Sequence, residues 1–441
     1  MKNLWTDEEI SNFKSDLELR VYTSNLLGRN DALVLHGGGN TSVKTVIDGE
    51  NILFVKGSGW DLVSIKEEGF APVKLDALLE MAKLESLSDS DMVKGQKDAM
   101  TDKSAPNPSV EAILHALIPF KFVDHTHADA VVTISNSKSG IENIKKVFPN
   151  FLIVPYVMPG FIMAQKIYEM SKDLDWSTCE GIILHNHGIF TFDNDVKKSY
   201  DKMIAAVTLA EEFLSENVKF VKEKVSKKKQ IKVNKNSLFP PMPEAPSFPE
   251  IPEMPEMPSF PPMPPMPPMP LVMFDSLQEL IEKLQELLSI EKGYEVVFKE
   301  NRSDLAKMYA SQKKLSDFAT RGVLTPEHII RTKRVPLIIK SEHIEKAIEN
   351  YIKEYKGYFD TFAKDEICLN PAPNYIVVKD YGVLSCGKNE KEAEIVNNIV
   401  EHTMMAVLRA DKLGGYKSIS LKDSFEMEYW ELEQVKLKDS E

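Results

Sequence analysis

Two histidines separated by a single residue carry the first chemical signal in this sequence: in the segment DHTHAD, His125 and His127 stand two positions apart. On a strand, or on the extended chain at its end, that spacing turns both imidazoles to one face. Two neutral imidazoles on one face are the beginning of a metal site. His187, in HNHG at a later strand end, can supply a third nitrogen. Any one of these histidines alone reads as a structural residue, but three at strand ends with an acid nearby point to a bound metal. The acid is Glu111, in NPSVE, in the first turn of a helical segment. The helix macrodipole favours a carboxylate there in any case; beside a metal it becomes a general acid/base able to move a proton at a substrate carbon or hydroxyl. His115, four residues on, reads as its neighbour on the helix face rather than as a ligand.

Two glycine-bearing turns, HGGGNTS at 36–42 and KGSGW at 56–60, have neither the spacing of a dinucleotide fingerprint nor that of a Walker loop. Glycines followed by hydroxyl and amide side chains can still present successive backbone N–H groups to an anion. Ser109, near Glu111, adds a hydroxyl at a helix N-terminus, a place suited to phosphate.

The elements that must position these residues follow from periodicity. Thr6 is placed to cap a helix running to about Leu27, and NTSVKTV and NILFVKG read as two strands joined at Asp48-Gly49. PSVEAILHALIP reads as a helix, KFVDHTHA as a strand ending in the histidines, and EGIILHNHGIFTF as a buried strand pair. A long helix follows from Asp195 to about Val225. Mixed units of this kind predict an α/β fold, a sheet covered on both faces by helices.

GGGNTSVK, KGSGWDL, PSVE, HTHAD and NHGIF occur in the order and approximate spacing of the class II aldolase and adducin N-terminal domain family. The sequence resembles that family strongly over about residues 15–225, and looks most like the aldolase portion of the bifunctional rhamnulose-1-phosphate aldolase and alcohol dehydrogenase type. The resemblance implies an α/β/α fold, Zn²⁺ held by His125, His127 and His187, Glu111 as the acid/base, and phosphate contacts from Gly39, Asn40, Ser58, Gly59 and Ser109. It implies a lyase that cleaves the C3–C4 bond of a ketose 1-phosphate to dihydroxyacetone phosphate and an aldehyde, the metal stabilising the charge of the enediolate. Epimerases and dehydratases of sugar phosphates share the scaffold, and adducin heads keep it as a non-catalytic interaction module. A homo-oligomer is also implied, because family members draw a proton donor for the aldehyde oxygen from a second subunit; no residue here is assigned that part. Rhamnulose 1-phosphate rests on the resemblance alone.

The second half resembles the later part of the same module, in GVLTPEHIIRTK, EHTMMAVLRADKLGGY and EYWELEQVKL. The bifunctional proteins continue into a short-chain dehydrogenase; this sequence contains no Gly-rich βα nucleotide fingerprint, so no NAD-dependent activity is expected. NYIVVKDYGVLS, followed by a helix from Lys388 to about Ala410, parallels GIILHNHGIFTF and its helix, with Tyr381 standing where His187 stands. A degenerate second copy without the metal is therefore expected, packed as a neighbouring subunit would be. Arg331, Lys333 and Arg334 in HIIRTKR are then candidates for phosphate contact, against the plainer reading of a solvated basic surface. His328, His343 and His402 have no partner spacing.

The expected organisation is a zinc domain over 1–230, a linker over 231–270 and a metal-less domain over 271–441. The chain holds 26 prolines against 20 glycines, and most of the excess falls in the Pro/Met run from Phe239 to Pro270. Proline fixes φ and lacks the amide donor, so the run should be an extended linker, or else a docking segment for a partner with an aromatic groove. With 54 Lys plus Arg against 67 Asp plus Glu, the 441-residue chain carries a net charge of −13, and 43% of its residues are hydrophobic. That composition excludes a disordered acidic chain and the usual basic nucleic-acid binder. Three scattered cysteines fit reduced thiols; the N-terminus has no signal-peptide pattern, and the greasiest stretch, Phe151 to Ala164, is broken by Pro155 and Pro159. A cytoplasmic protein acting on a small sugar phosphate, without nucleic-acid or membrane partners, is expected. Its charge repels such a substrate at long range, so binding must be local.

Overall fold

A computed structural model describes residues 1–218, 272–340 and 343–432. The Pro/Met run and the end of the expected helix beyond Val218 lie outside the described residues. The first half contains α1 (Asp16–Gly28), β1 (Asn40–Ile47), β2 (Glu50–Lys56), β3 (Phe70–Lys74), α2 (Leu75–Met81), α3 (Asp89–Asp98) and α4 (Ala112–Leu117). It continues with β4 (Phe122–Thr126), α5 (Asp129–Ser135), α6 (Gly140–Val147), β5 (Phe151–Val154), α7 (Phe161–Ser171), β6 (Gly181–Leu184), β7 (Gly188–Asp193) and α8 (Val196–Asn217).

The strands form one sheet of seven in the order β3-β2-β1-β4-β7-β6-β5. Every pairing is antiparallel except β5 with β6. The two-residue side-chain period sorts β7 onto two cores. Ile189 packs with Tyr22, Val131 and Val207 from α1, α5 and α8 on one face, while Phe190 and Phe192 pack with Leu114 and Met163 from α4 and α7 on the other. The α/β/α expectation holds.

The first helix departs from expectation. It starts at Asp16, not after Thr6, because Ser15 and Glu18 form a reciprocal capping box. The preceding chain crosses α8 and α1 instead, Leu4 N donating to the Tyr200 hydroxyl and Thr6 N to that of Tyr22, both at 3.1 Å. Beneath the sheet centre, the fully buried Arg20 donates to Asp124 at 2.5 Å and to Thr23, and Ser199 donates to the other Asp124 oxygen. This polar seam ties α1 and α8 to β4, one residue before His125.

The second half contains α9 (Val272–Lys292), β8 (Val297–Asn301), α10 (Asp304–Ala310), α11 (Leu315–Ala319), α12 (His328–Thr332) and β9 (Leu337–Ile339). It ends with α13 (Ile344–Phe362), β10 (Tyr375–Val378), β11 (Gly382–Gly387), α14 (Glu390–Lys412) and α15 (Leu421–Glu428). Its four-stranded sheet, β8-β11-β10-β9, repeats the β4-β7-β6-β5 part of the first. The repeat holds to the residue. Thr126 faces Ile189 as Asn301 faces Val383, and Leu184 faces Gly188 as Val378 faces Gly382. The turn between each hairpin pair carries one left-handed residue, Asn186 at φ 60° and Asp380 at φ 59°. Asp195 caps α8 as Asn389 caps α14.

This register sets His125, His127 and His187 against Glu300, Arg302 and Tyr381. The Tyr381 hydroxyl donates to Glu300, and the Arg302 guanidinium lies 4.7 Å from the Tyr381 ring centroid. An ion pair and a cation–π contact stand where the first half has imidazoles. The halves are joined by backbone bonds, Lys417 N to Asn136 O at 2.6 Å and Lys138 N to Gly415 O at 2.8 Å, and Val132 of α5 sits in a core formed otherwise by second-half residues. No helix among the described residues is long and apolar enough to cross a membrane.

Candidate metal centre

Because β1 and β7 run antiparallel to β4 on either side, the C-terminal end of β4 lies between the start of β1 and the start of β7. Asn40 and Phe190 therefore flank His125. His127 follows as the chain leaves the strand, and His187 reaches the same place from the Asn186 turn. One nitrogen from each of the three rings can be chosen so that all lie within 4.8 Å of one another.

The outer nitrogens of two of these rings are already spoken for. His125 Nδ1 lies 3.1 Å from the Ile189 carbonyl oxygen, and His127 Nδ1 lies 2.6 Å from Glu327 Oε1. Acceptors at both positions require both Nδ1 atoms to donate, which in the neutral rings leaves the Nε2 atoms as acceptors. Those two Nε2 atoms face each other at 3.0 Å. Glu111 Oε2 lies 3.5 Å from His125 Nε2, Glu111 Oε1 lies 3.8 Å from His187 Nε2, and this Oε1 is buried without a hydrogen-bond partner. Opposed lone pairs beside an unpaired carboxylate oxygen are what a cation would reconcile, so the donor set fits a metal ion.

Protonation favours the same conclusion at two of the three rings. Burial holds His187 down at about 3 despite the nearby Glu111, and burial together with His127 holds His125 well below the usual histidine range. Both stay neutral, the form that binds metal. Burial works against charge on His127 too, but the Glu327 carboxylate outweighs it and raises its pKa.

The glycine turns lie beside this cluster. Gly39 takes φ 64°, and a side chain there would meet His125 O at 2.7 Å, so the backbone must pass close to β4. Ser58 N donates to Asn107 O at 2.8 Å and Ser109 N to Lys56 O at 3.0 Å. These bonds and the bridge between Gly57 and Pro108 hold residues 107–109 extended. In consequence α4 begins only at Ala112 and Glu111 is its N-cap, not a member of its first turn. Ser109 Oγ accepts from Asn40 Nδ2 at 3.1 Å and from Glu111 N at 3.2 Å. Asn40 Nδ2 also donates to Glu111 Oε2 at 2.5 Å, so its side chain orients the carboxylate. His115 is engaged at both nitrogens, by Ser42 and Asn40, and is no ligand. Ser58 and Gly59 are exposed on their turn.

Of the basic candidates, exposed Arg331 lies near enough to His36, in the first glycine turn, for its charge to lower that histidine's pKa after burial and the nearby acids are counted. Lys333 and Arg334 are not phosphate contacts. Lys333 is buried 3.6 Å from the Tyr355 ring centroid and 3.7 Å from Glu428, and Arg334 donates to the Thr320 carbonyl.

Two residues escaped the sequence reading. Lys56 is buried, donates to Gly37 O at 2.9 Å and is pushed by burial down to about 8, with Asp61 and Glu111 opposing. Glu327 arrives from the other half of the chain, and nothing in its own segment marks it.

On this mixed α/β scaffold, three histidines and a carboxylate meet at adjoining strand ends in an arrangement that could hold a metal ion. The model of the class II aldolase and adducin N-terminal domain matches residues 18–214, and that of the class II aldolase second domain matches residues 275–437. The chain belongs to the class II aldolase and adducin family. It is 40% identical to the N-terminal class II aldolase domain of a conserved protein from Thermoplasma acidophilum, covering 48% of this chain and 99% of that one, with a TM-score of 0.45. An L-fuculose-1-phosphate aldolase from Thermus thermophilus is 14% identical over 46% of this chain and 94% of its own, with a TM-score of 0.30. An uncharacterized oxidoreductase of Bacillus subtilis, YuxG, is 26% identical over 99% of this chain; the chain spans 60% of that protein's length.

Proposed function

We propose that the protein is a zinc-dependent aldolase that cleaves a ketose 1-phosphate, of the rhamnulose 1-phosphate kind, to dihydroxyacetone phosphate and an aldehyde. The observation that carries this reading is the pair of imidazole Nε2 atoms facing each other at 3.0 Å beside the Glu111 carboxylate. A zinc ion held by His125, His127 and His187 would supply a Lewis acid for the negative charge that develops when the C3–C4 bond breaks. Glu111, held by Asn40, would deliver a proton to C3, whose carbon takes the electron pair of the broken bond; the C4 hydroxyl would lose its proton to solvent as the aldehyde forms, and Glu111 would regain one from solvent. The 36–42 and 56–60 turns, with the Ser58 and Ser109 hydroxyls, would form the phosphate end, and the Lys56 ammonium adds a positive charge in a chain that is acidic overall.

The test is metal analysis of the purified chain, followed by release of dihydroxyacetone phosphate from a panel of ketose 1-phosphates. Zinc at one equivalent and release that is abolished by His127→Ala are expected. Full activity in metal-free protein would refute the proposal, and an isomeric or dehydrated product without aldehyde would assign the site to the epimerases or dehydratases instead.

A further inference from the structure

We propose that Glu327, from the half of the chain that has no histidine cluster, is the positioning residue of the metal centre, fixing the tautomer and direction of the His127 ring. The inference rests on the metal-binding reading of His125, His127 and His187. Imidazole ligands almost always donate their other ring N–H to an acceptor, which fixes the tautomer, and a carboxylate in that place also makes the ring a stronger donor.

Glu327 meets these requirements. Its Oε1 lies 2.6 Å from His127 Nδ1, so Nε2, the nitrogen opposite His125 Nε2, is the one left to bind. The same oxygen accepts from Thr325 Oγ1 at 2.6 Å, which fixes the carboxylate before it meets the ring. Glu327 is also the N-cap residue of α12, so its backbone is anchored by the helix that follows. Of the other two rings, His125 is held by its own half through the Ile189 carbonyl, and His187 Nδ1 is buried without a partner. His127 alone lies just beyond β4, and the carboxylate that holds it comes from across the inter-half contact.

This gives the degenerate copy a physical role. The second half carries Glu300, Arg302 and Tyr381 where ligands would stand, yet the segment between its α11 and β9 supplies what the first half lacks. Metal affinity thus depends on the docking of the two halves through the bonds of Asn136 and Lys138 to Lys417 and Gly415.

The test is Co²⁺ titration of the full chain, followed by visible absorption and by zinc competition, in wild type, Glu327→Ala and Glu327→Gln. Loss of the carboxylate should weaken metal binding ~10–100-fold, the range for groups that orient a ligand histidine. Gln keeps an acceptor for Nδ1–H but not the charge, so E327Q should fall between wild type and E327A, about tenfold weaker than wild type. Equal Co²⁺ affinity in wild type and E327A overturns the proposal; should E327A not fold, equal affinity in wild type and E327Q does so. A wild type that binds neither metal would instead fail the proposed function itself.

Discussion

The Glu111 carboxylate is restrained from one side. Asn40 donates to one oxygen, and the other faces the His187 side of the cluster unpaired. Glu111→Gln keeps the shape and removes the proton-transfer group, so kcat should fall ~10²–10⁴-fold, the usual weight of general acid/base catalysis. Metal content should be retained at one equivalent, and unchanged kcat would remove Glu111 from the chemistry. Lys56 should show in the pH profile. Its pKa of about 8 leaves the amine charged below that pH and neutral above it, so a contact to phosphate weakens on the alkaline side. Between pH 7 and 9 the charged fraction falls about tenfold, and KM for the sugar phosphate should rise by about that factor, while Lys56→Met should bind weakly and show no such rise. The histidines were legible because two of them share a strand face. Lys56 was hidden among glycines whose turn drew the reading, and Glu327 was hidden because the residue it serves lies in the other half of the chain.

At the scale of elements, periodicity revealed the strand pairs, and Asp48-Gly49 and His185-Asn186-His187 are the turns that join them. Helix starts were read less well, because caps compete locally. Thr6 and Ser15 both qualify by type and each has a glutamate three residues on, Glu9 and Glu18, but only Ser15 and Glu18 close the reciprocal pair. The short α4 was misjudged for another reason: residues 107–109 pair with the 56–58 turn, a tertiary contact that local pattern does not carry. The buried Arg20–Asp124 pair is equally silent in sequence. It joins α1, β4 and α8 directly behind His125, with both side chains fully buried. Arg20→Met would leave the Asp124 carboxylate buried and facing only Ser199, so a loss of about 3–5 kcal/mol is expected, measurable by urea unfolding. A loss within about 1 kcal/mol, of the order of an exposed pair, would show that the seam does not hold the sheet.

For the whole molecule, the internal repeat was legible from one strand pair and its helix, while its extent was not. Only the shared register shows that β8 and α10 repeat β4 and α5, since VFKEN and FVDHT share little beyond length. The register also sets three second-half residues where the first half has its histidines. Glu300, Arg302 and Tyr381 occupy the backbone positions of the three ligands and already touch one another, through the Tyr381–Glu300 hydrogen bond and an Arg302–Glu300 ion pair at 3.6 Å. If backbone geometry is what gathers the imidazoles, then Glu300→His, Arg302→His and Tyr381→His together should create a second metal site. The triple variant should bind two equivalents of Co²⁺ where wild type binds one, the added site being weaker because Glu300 and Arg302 are exposed to competing water. A folded triple variant that still binds one equivalent would show that the strand register alone does not make the site.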